Sequence, residues 1–112
     1  MRRIVVSIFI SLDGVMQGPG GPREDPSGGF TLGGWTAPHF DQALGASMGE
    51  ILGRPFDLLL GRKTYDMFAG YWPYVSDSND PIASTFNRTT KYVASRSRPK
   101  LGWQYSQTSW PR

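Results

Sequence analysis

The chain begins with an apolar, β-branched run, Ile4-Val5-Val6-Ser7-Ile8-Phe9-Ile10, with large side chains on both alternating sets of positions. A strand that is apolar on both faces belongs inside a sheet covered from two sides, as in parallel sheets. The pattern therefore predicts a central first strand, ended by Ser11-Leu12-Asp13-Gly14. From Gly18 to Gly34 the periodicity gives way to "GPGGPREDPSGGFTLGG". This reads as a long loop, and long loops in compact domains tend to be functional or mobile. Periodicity returns in a helix predicted over Pro38 to Leu52, with Thr36 as cap, Pro38 in the first turn and Asp41 at the positive end of the dipole. Phe40, Leu44, Met48 and Ile51 form its apolar stripe. Gly45, Gly49 and Gly53 lie on a neighbouring stripe and would let a sheet or another subunit approach closely.

Phe56 to Leu60 reads as the second strand and Thr64 to Ala69 as a short helix. Asp80-Pro81 is a helix start, Asp as N-cap and Pro at the first helical position, with Ile82 and Phe86 supplying its apolar contact. Lys91 to Ser95 reads as a third strand, and Trp103 and Tyr105, alternating with polar residues, begin a fourth. Strands alternating with helices predict an α/β fold with parallel neighbours and right-handed crossovers. There is no internal repeat and no linker, so residues 1–112 are expected to form a single domain.

Composition narrows the picture. A chain of 112 residues, 38% apolar and 19% charged, supports one modest core and is neither disordered nor membrane-spanning. The absence of cysteine excludes disulfides and thiolate metal sites, and no metal-ligand spacing is present. No signal-peptide pattern precedes Asp13, so a cytoplasmic protein with no membrane partner is expected. The net charge of +3 is uneven: Arg88, Lys91, Arg96, Arg98, Lys100 and Arg112 follow Thr85 with no acid among them. A basic end fits either an anionic ligand or a solvated surface. No zinc, helix-turn-helix or RNA-binding motif accompanies it, and no nucleic-acid partner is expected.

In parallel sheets ligands gather at the carboxyl ends of the strands. All three predicted strands end in polar residues: Ser11 and Asp13, then Gly61-Arg62-Lys63-Thr64, then Ser95-Arg96-Ser97. Gly61 to Thr64 fit an anion cradle, with backbone access at the glycine, free N–H groups at a helix start and an Arg fork. They fit equally a turn in which Thr64 caps the helix. Two hydroxyls flanking the Arg96 guanidinium could hold a second phosphate, or form an exposed strand end. Asp13-Gly14 is also an ordinary turn pair. His39 is the single histidine, in the first turn of a predicted helix. Trp35, Tyr65, Tyr71, Trp72, Tyr74 and Trp103 could stack on a planar heterocycle or fill a core.

Three segments, "VVSIFISLDGVMQG", "DLLLGRKTYDMFAGYWP" and "FNRTTKYVASRS", in this order and spacing, resemble the dihydrofolate-reductase-like superfamily. The likeness is greatest to small bacterial proteins related to the reductase domain of the riboflavin-biosynthesis deaminase-reductase. The resemblance implies a mixed, mostly parallel sheet flanked by helices, NADPH as hydride donor and a pterin- or pyrimidine-like heterocycle as substrate. It places Gly61, Arg62, Lys63 and Thr64 along the cofactor phosphates, and Ser95 and Arg96 near the ribose 2′-phosphate, with the flanking Ser97 a further cofactor-binding candidate. Ile10 and Ser11 would sit by the nicotinamide, with Asp13 and Gly18 shaping the loop over it. Asp13 and Asp41 are the candidate catalytic acids, with Glu50 a further possibility; none sits in a motif matching the family's proton relay. The later glycine-rich turn and closing strands of the family do not follow "WQYSQTSWPR". The chain is therefore expected to be the N-terminal part of the fold, with an open sheet edge and apolar surface at Trp103 and Trp110 that invite a homodimer. A non-catalytic nucleotide-binding or assembly module is the alternative expectation.

Overall fold

The computed structural model of the chain describes residues 3–97 and 99–108; Arg98, Trp110 and Arg112 lie outside the described residues. Two compact units are present, one up to Ala46 and one from Ser47 onward.

The second unit holds a three-stranded parallel sheet, β1 (Leu58–Gly61), β2 (Lys91–Ala94) and β3 (Ser106–Gln107), in that spatial order. β1 and β2 run in register from Leu58 beside Lys91 to Gly61 beside Ala94. Between them come helices α2 (Arg62–Ala69) and α3 (Pro81–Arg88), each one crossover segment of an α/β layout. Leu60 and Val93 point inward from the sheet and meet Tyr65 of α2, Phe86 of α3 and Trp103. Each such side chain removed from water contributes about 1.5–3 kcal/mol. Phe86 stacks on Phe68 at 5.7 Å and meets Trp72 edge-on at 5.2 Å. Tyr65, Trp72 and Trp103 therefore belong to the core assembly, which decides the core-or-stacking alternative for these three.

Asp80 caps α3 as expected: one carboxylate oxygen accepts from the N–H groups of Ile82 and Ala83, both at 2.9 Å. The fourth strand begins later than expected. Trp103 is buried in the core and Tyr105 takes a left-handed turn (φ 59°), so pairing starts only at Ser106.

The first unit departs further from expectation. Residues 4–10, predicted as a central strand, form no strand; Val6 is 80% exposed. Strand propensity is realised only against a neighbouring strand and a covering layer, and among the described residues β1 pairs on one side alone, with β2. The predicted helix is divided: a single 3-10 turn over Ala37–His39, then α1 (Gln42–Leu52). Thr36 does not cap it, because its hydroxyl donates instead to the Pro19 carbonyl at 2.6 Å. Asp41 is the cap, its carboxylate accepting from Leu44 N–H at 2.8 Å. The predicted apolar stripe is only partly covered: Phe40, just before α1, and Ile51 are exposed, Leu44 and Met48 are half-buried, and Leu52 at the end of α1 packs against the core.

The Gly- and Pro-rich loop is closely hydrogen-bonded. The Gln17 amide donates to the carbonyls of Asp25 and Ser27 at 3.0 and 2.9 Å, and its own carbonyl accepts from the Trp35 indole at 2.9 Å. Gly33 packs so tightly that a Cβ there would lie 2.7 Å from the Gly21 carbonyl oxygen.

Candidate functional site

β1 delivers Gly61 to the carboxyl end of the sheet in ordinary extended geometry (φ −70°, ψ 161°). A Cβ added there would meet no atom within 4 Å. Neither backbone conformation nor packing within the described residues requires glycine at this point, so its lack of a side chain leaves an open approach to the backbone. α2 starts directly at Arg62, and Gly61 offers no side-chain cap. The first turn thus presents N–H groups without intrahelical acceptors at the positive end of the dipole. Thr64 lies inside that turn rather than capping it, because the helix begins two residues earlier than the sequence suggested.

Arg62 Nε donates to both carboxylate oxygens of Asp66, at 2.8 and 2.9 Å, one turn along the same helix. Both side chains are substantially exposed, so the pair contributes only about 0.3–0.5 kcal/mol, and a phosphate could outcompete it. Lys63 is exposed and makes no ion pair among the described residues.

The neighbouring strand end lies alongside. Ala94 pairs with Gly61, so Ser95-Arg96-Ser97 leave the sheet on the same rim as Arg62-Lys63-Thr64. Ser97 N–H donates to Ser95 Oγ at 3.3 Å, bending the chain so that the two hydroxyl oxygens are 3.4 Å apart. Arg96 is exposed and has no carboxylate partner among the described residues. The rim therefore collects three cationic side chains, three hydroxyls and a helix start within two adjacent loops. That arrangement suits an anion with more than one phosphate.

No protein-family model matches the chain, and no curated protein matches it.

The remaining sequence candidates lie in the first unit. Ile10 is exposed, and Ser11 to Val15 form a turn: Ser11 N–H donates to the Val15 carbonyl at 3.0 Å and Gly14 N–H to the Ser11 carbonyl at 2.9 Å. The Ser11 hydroxyl donates to Asp13 at 2.5 Å, and this bond, with a backbone bond behind it, holds the Asp13 carboxyl below its ordinary value. Asp13-Gly14 is thus the turn pair that the sequence allowed, with Gly14 at φ 87°. Gly18 is buried with φ 54° against Phe30 and Gly33, an anchor of its loop. Asp41 is exposed and engaged as the cap of α1. His39 and Glu50 are exposed.

Lys91 has a role the sequence reading missed, having placed it at the start of the third strand and among the basic residues of the chain's end. Its side chain is fully buried; Nζ donates to the carbonyls of Asn87 and Gln104 at 2.9 and 3.0 Å and lies 4.2 Å from the Trp103 ring centroid. Burial pushes its pKa down from 10.5 to about 8 despite these charge-favouring contacts. The signal was present in the strand period: Lys91 and Val93 are two apart, hence on one face, and Val93 faces the core. Asn87 joins the same network, its Oδ1 accepting from the Trp103 indole at 2.8 Å and its Nδ2 donating to the Trp72 carbonyl at 3.0 Å. Trp103 N–H completes it, donating to the Tyr65 hydroxyl at 3.1 Å. A cleft of about 560 Å³ opens beside this network, between Tyr65, Tyr74, Lys100 and Trp103, and includes none of the rim residues.

Proposed function

We propose that the chain carries the nucleotide side of an NADPH-dependent reductase related to the dihydrofolate-reductase-like superfamily, acting on a pterin- or pyrimidine-like heterocycle. The observation that supports this reading best is the register of β1 with β2, because it gathers both phosphate-competent loops on one rim. The donors fit the group: Gly61 leaves the backbone open, Arg62, Lys63 and Thr64 suit the pyrophosphate, and Ser95, Arg96 and Ser97 suit a 2′-phosphate. The nicotinamide would supply the hydride, and the protein's own part would be to bind and orient.

A second reading, a nucleotide-binding module without turnover, is favoured by the acids. Asp13 is fully exposed with a lowered pKa, the opposite of what a proton donor at neutral pH needs, and Asp41 is engaged as a helix cap. Fluorescence titration with NADPH and NADH tests both readings. Saturable NADPH binding is expected. Gly61→Ala should weaken it without disturbing the fold, since the added methyl meets only open space. Arg96→Ala should cost NADPH about tenfold in affinity and NADH little, the loss of one charge-assisted contact. No saturable binding overturns both readings; binding without oxidation across heterocyclic substrates selects the second.

A further inference from the structure

We infer that the outer edge of β1 is a docking site for residues 4–7 of a second copy of this chain, added to the sheet as a parallel strand. Among the described residues β1 is an edge strand, bonded on one side to β2, and Leu59 stands 50% exposed on it. An apolar edge with unpaired N–H and C=O groups is a template for a further strand. The same chain carries the complementary piece. Among the described residues the backbone of residues 3–10 makes no hydrogen bond, and Ile4, Val5, Val6, Ile8 and Ile10 are all exposed.

Side-chain period and charge select the register. With Ile4 beside Leu58 and Val6 beside Leu60, two branched aliphatics extend the core face of the sheet, and Val5 falls beside exposed Leu59 on the other face. Parallel pairing then brings Arg3 beside Asp57, neither of which has an ion-pair partner among the described residues. The antiparallel alternative would set Arg3 at the Arg62 end, like charge against like. Each copy owns one edge and one segment, so the exchange can be reciprocal and close as a two-fold dimer.

The absence of cysteine makes the test clean. Val5→Cys and Leu59→Cys are made in separate chains, mixed and oxidised, while wild type is followed by sedimentation over a dilution series. The expected result is a dimer that dissociates on dilution and a disulfide joining the two kinds of chain. Asp57→Arg should weaken dimerisation about tenfold, and adding Arg3→Asp to the same chain should restore it. A wild-type monomer at every concentration, with no mixed disulfide, overturns the proposal. So does a Val5→Cys/Leu59→Cys chain that closes on itself while the mixed single variants stay unlinked, which would place the segment on its own β1. A dimer indifferent to both the cysteine pair and the charge swap overturns it in favour of another surface. Circular dichroism of each variant checks that it is folded; the substituted positions are exposed.

Discussion

The balance at Lys91 illustrates how a single residue can make folding depend on pH. Two carbonyl acceptors and the Trp103 face favour the ammonium, yet full removal from water outweighs them and the pKa falls to about 8. Between that value and the ordinary 10.5 the unfolded chain holds more protons at this site than the folded one. Stability from this group is therefore lowest below pH 8 and rises with pH through the window. Urea unfolding at a series of pH values should show wild type gaining on the order of 3 kcal/mol relative to Lys91→Met across it. A flat difference would show that the amine keeps its ordinary affinity for protons. At this scale the sequence was legible where chemistry is local. Gly61 to Thr64 and Ser95 to Ser97 do sit at strand ends, whereas Asn87 was invisible because its partners, Trp72 and Trp103, are supplied from distant stretches of chain.

Among the elements, α3 was the most legible because its signals are its own: an acid that bonds the first N–H groups and a proline that needs none. Asp80→Ala should cost about 1 kcal/mol in urea unfolding, with Asp80→Asn keeping most of the stability. An unchanged midpoint for Asp80→Ala would mean that packing of Ala83 and Phe86 alone holds the helix. β2 was equally legible, since its inward and outward positions alternate cleanly. The first run of the chain was not. Its residues prefer strands as strongly as any in the sequence, but pairing is a property of two strands, and propensity counts only one of them. α1 shows the same lesson in reverse. The helix forms, while Phe40 just before it and Ile51 near its end find no cover among the described residues.

For the whole molecule, the α/β class followed from the alternation of elements, and the three-stranded parallel sheet agrees with it. Of the three strand ends expected on one rim, Gly61 to Thr64 and Ser95 to Ser97 leave the sheet side by side, whereas Ser11 and Asp13 follow no strand. The division into two compact units left no such mark, as no linker composition accompanies it. The core of the second unit has one more consequence, in chemical labelling. Lysines 63, 91 and 100 are the chain's only lysines; Lys63 and Lys100 face solvent, while Lys91 is sealed. An acetylating reagent should therefore modify the first two at once and the third only when the core opens. Peptide mapping over time would then give the opening rate of the sheet from one natural side chain, with two internal references. Acetylation of Lys91 as fast as Lys63 would mean that the cage of carbonyls and rings stands open in solution. A sealed amine turns the folded core into its own timer.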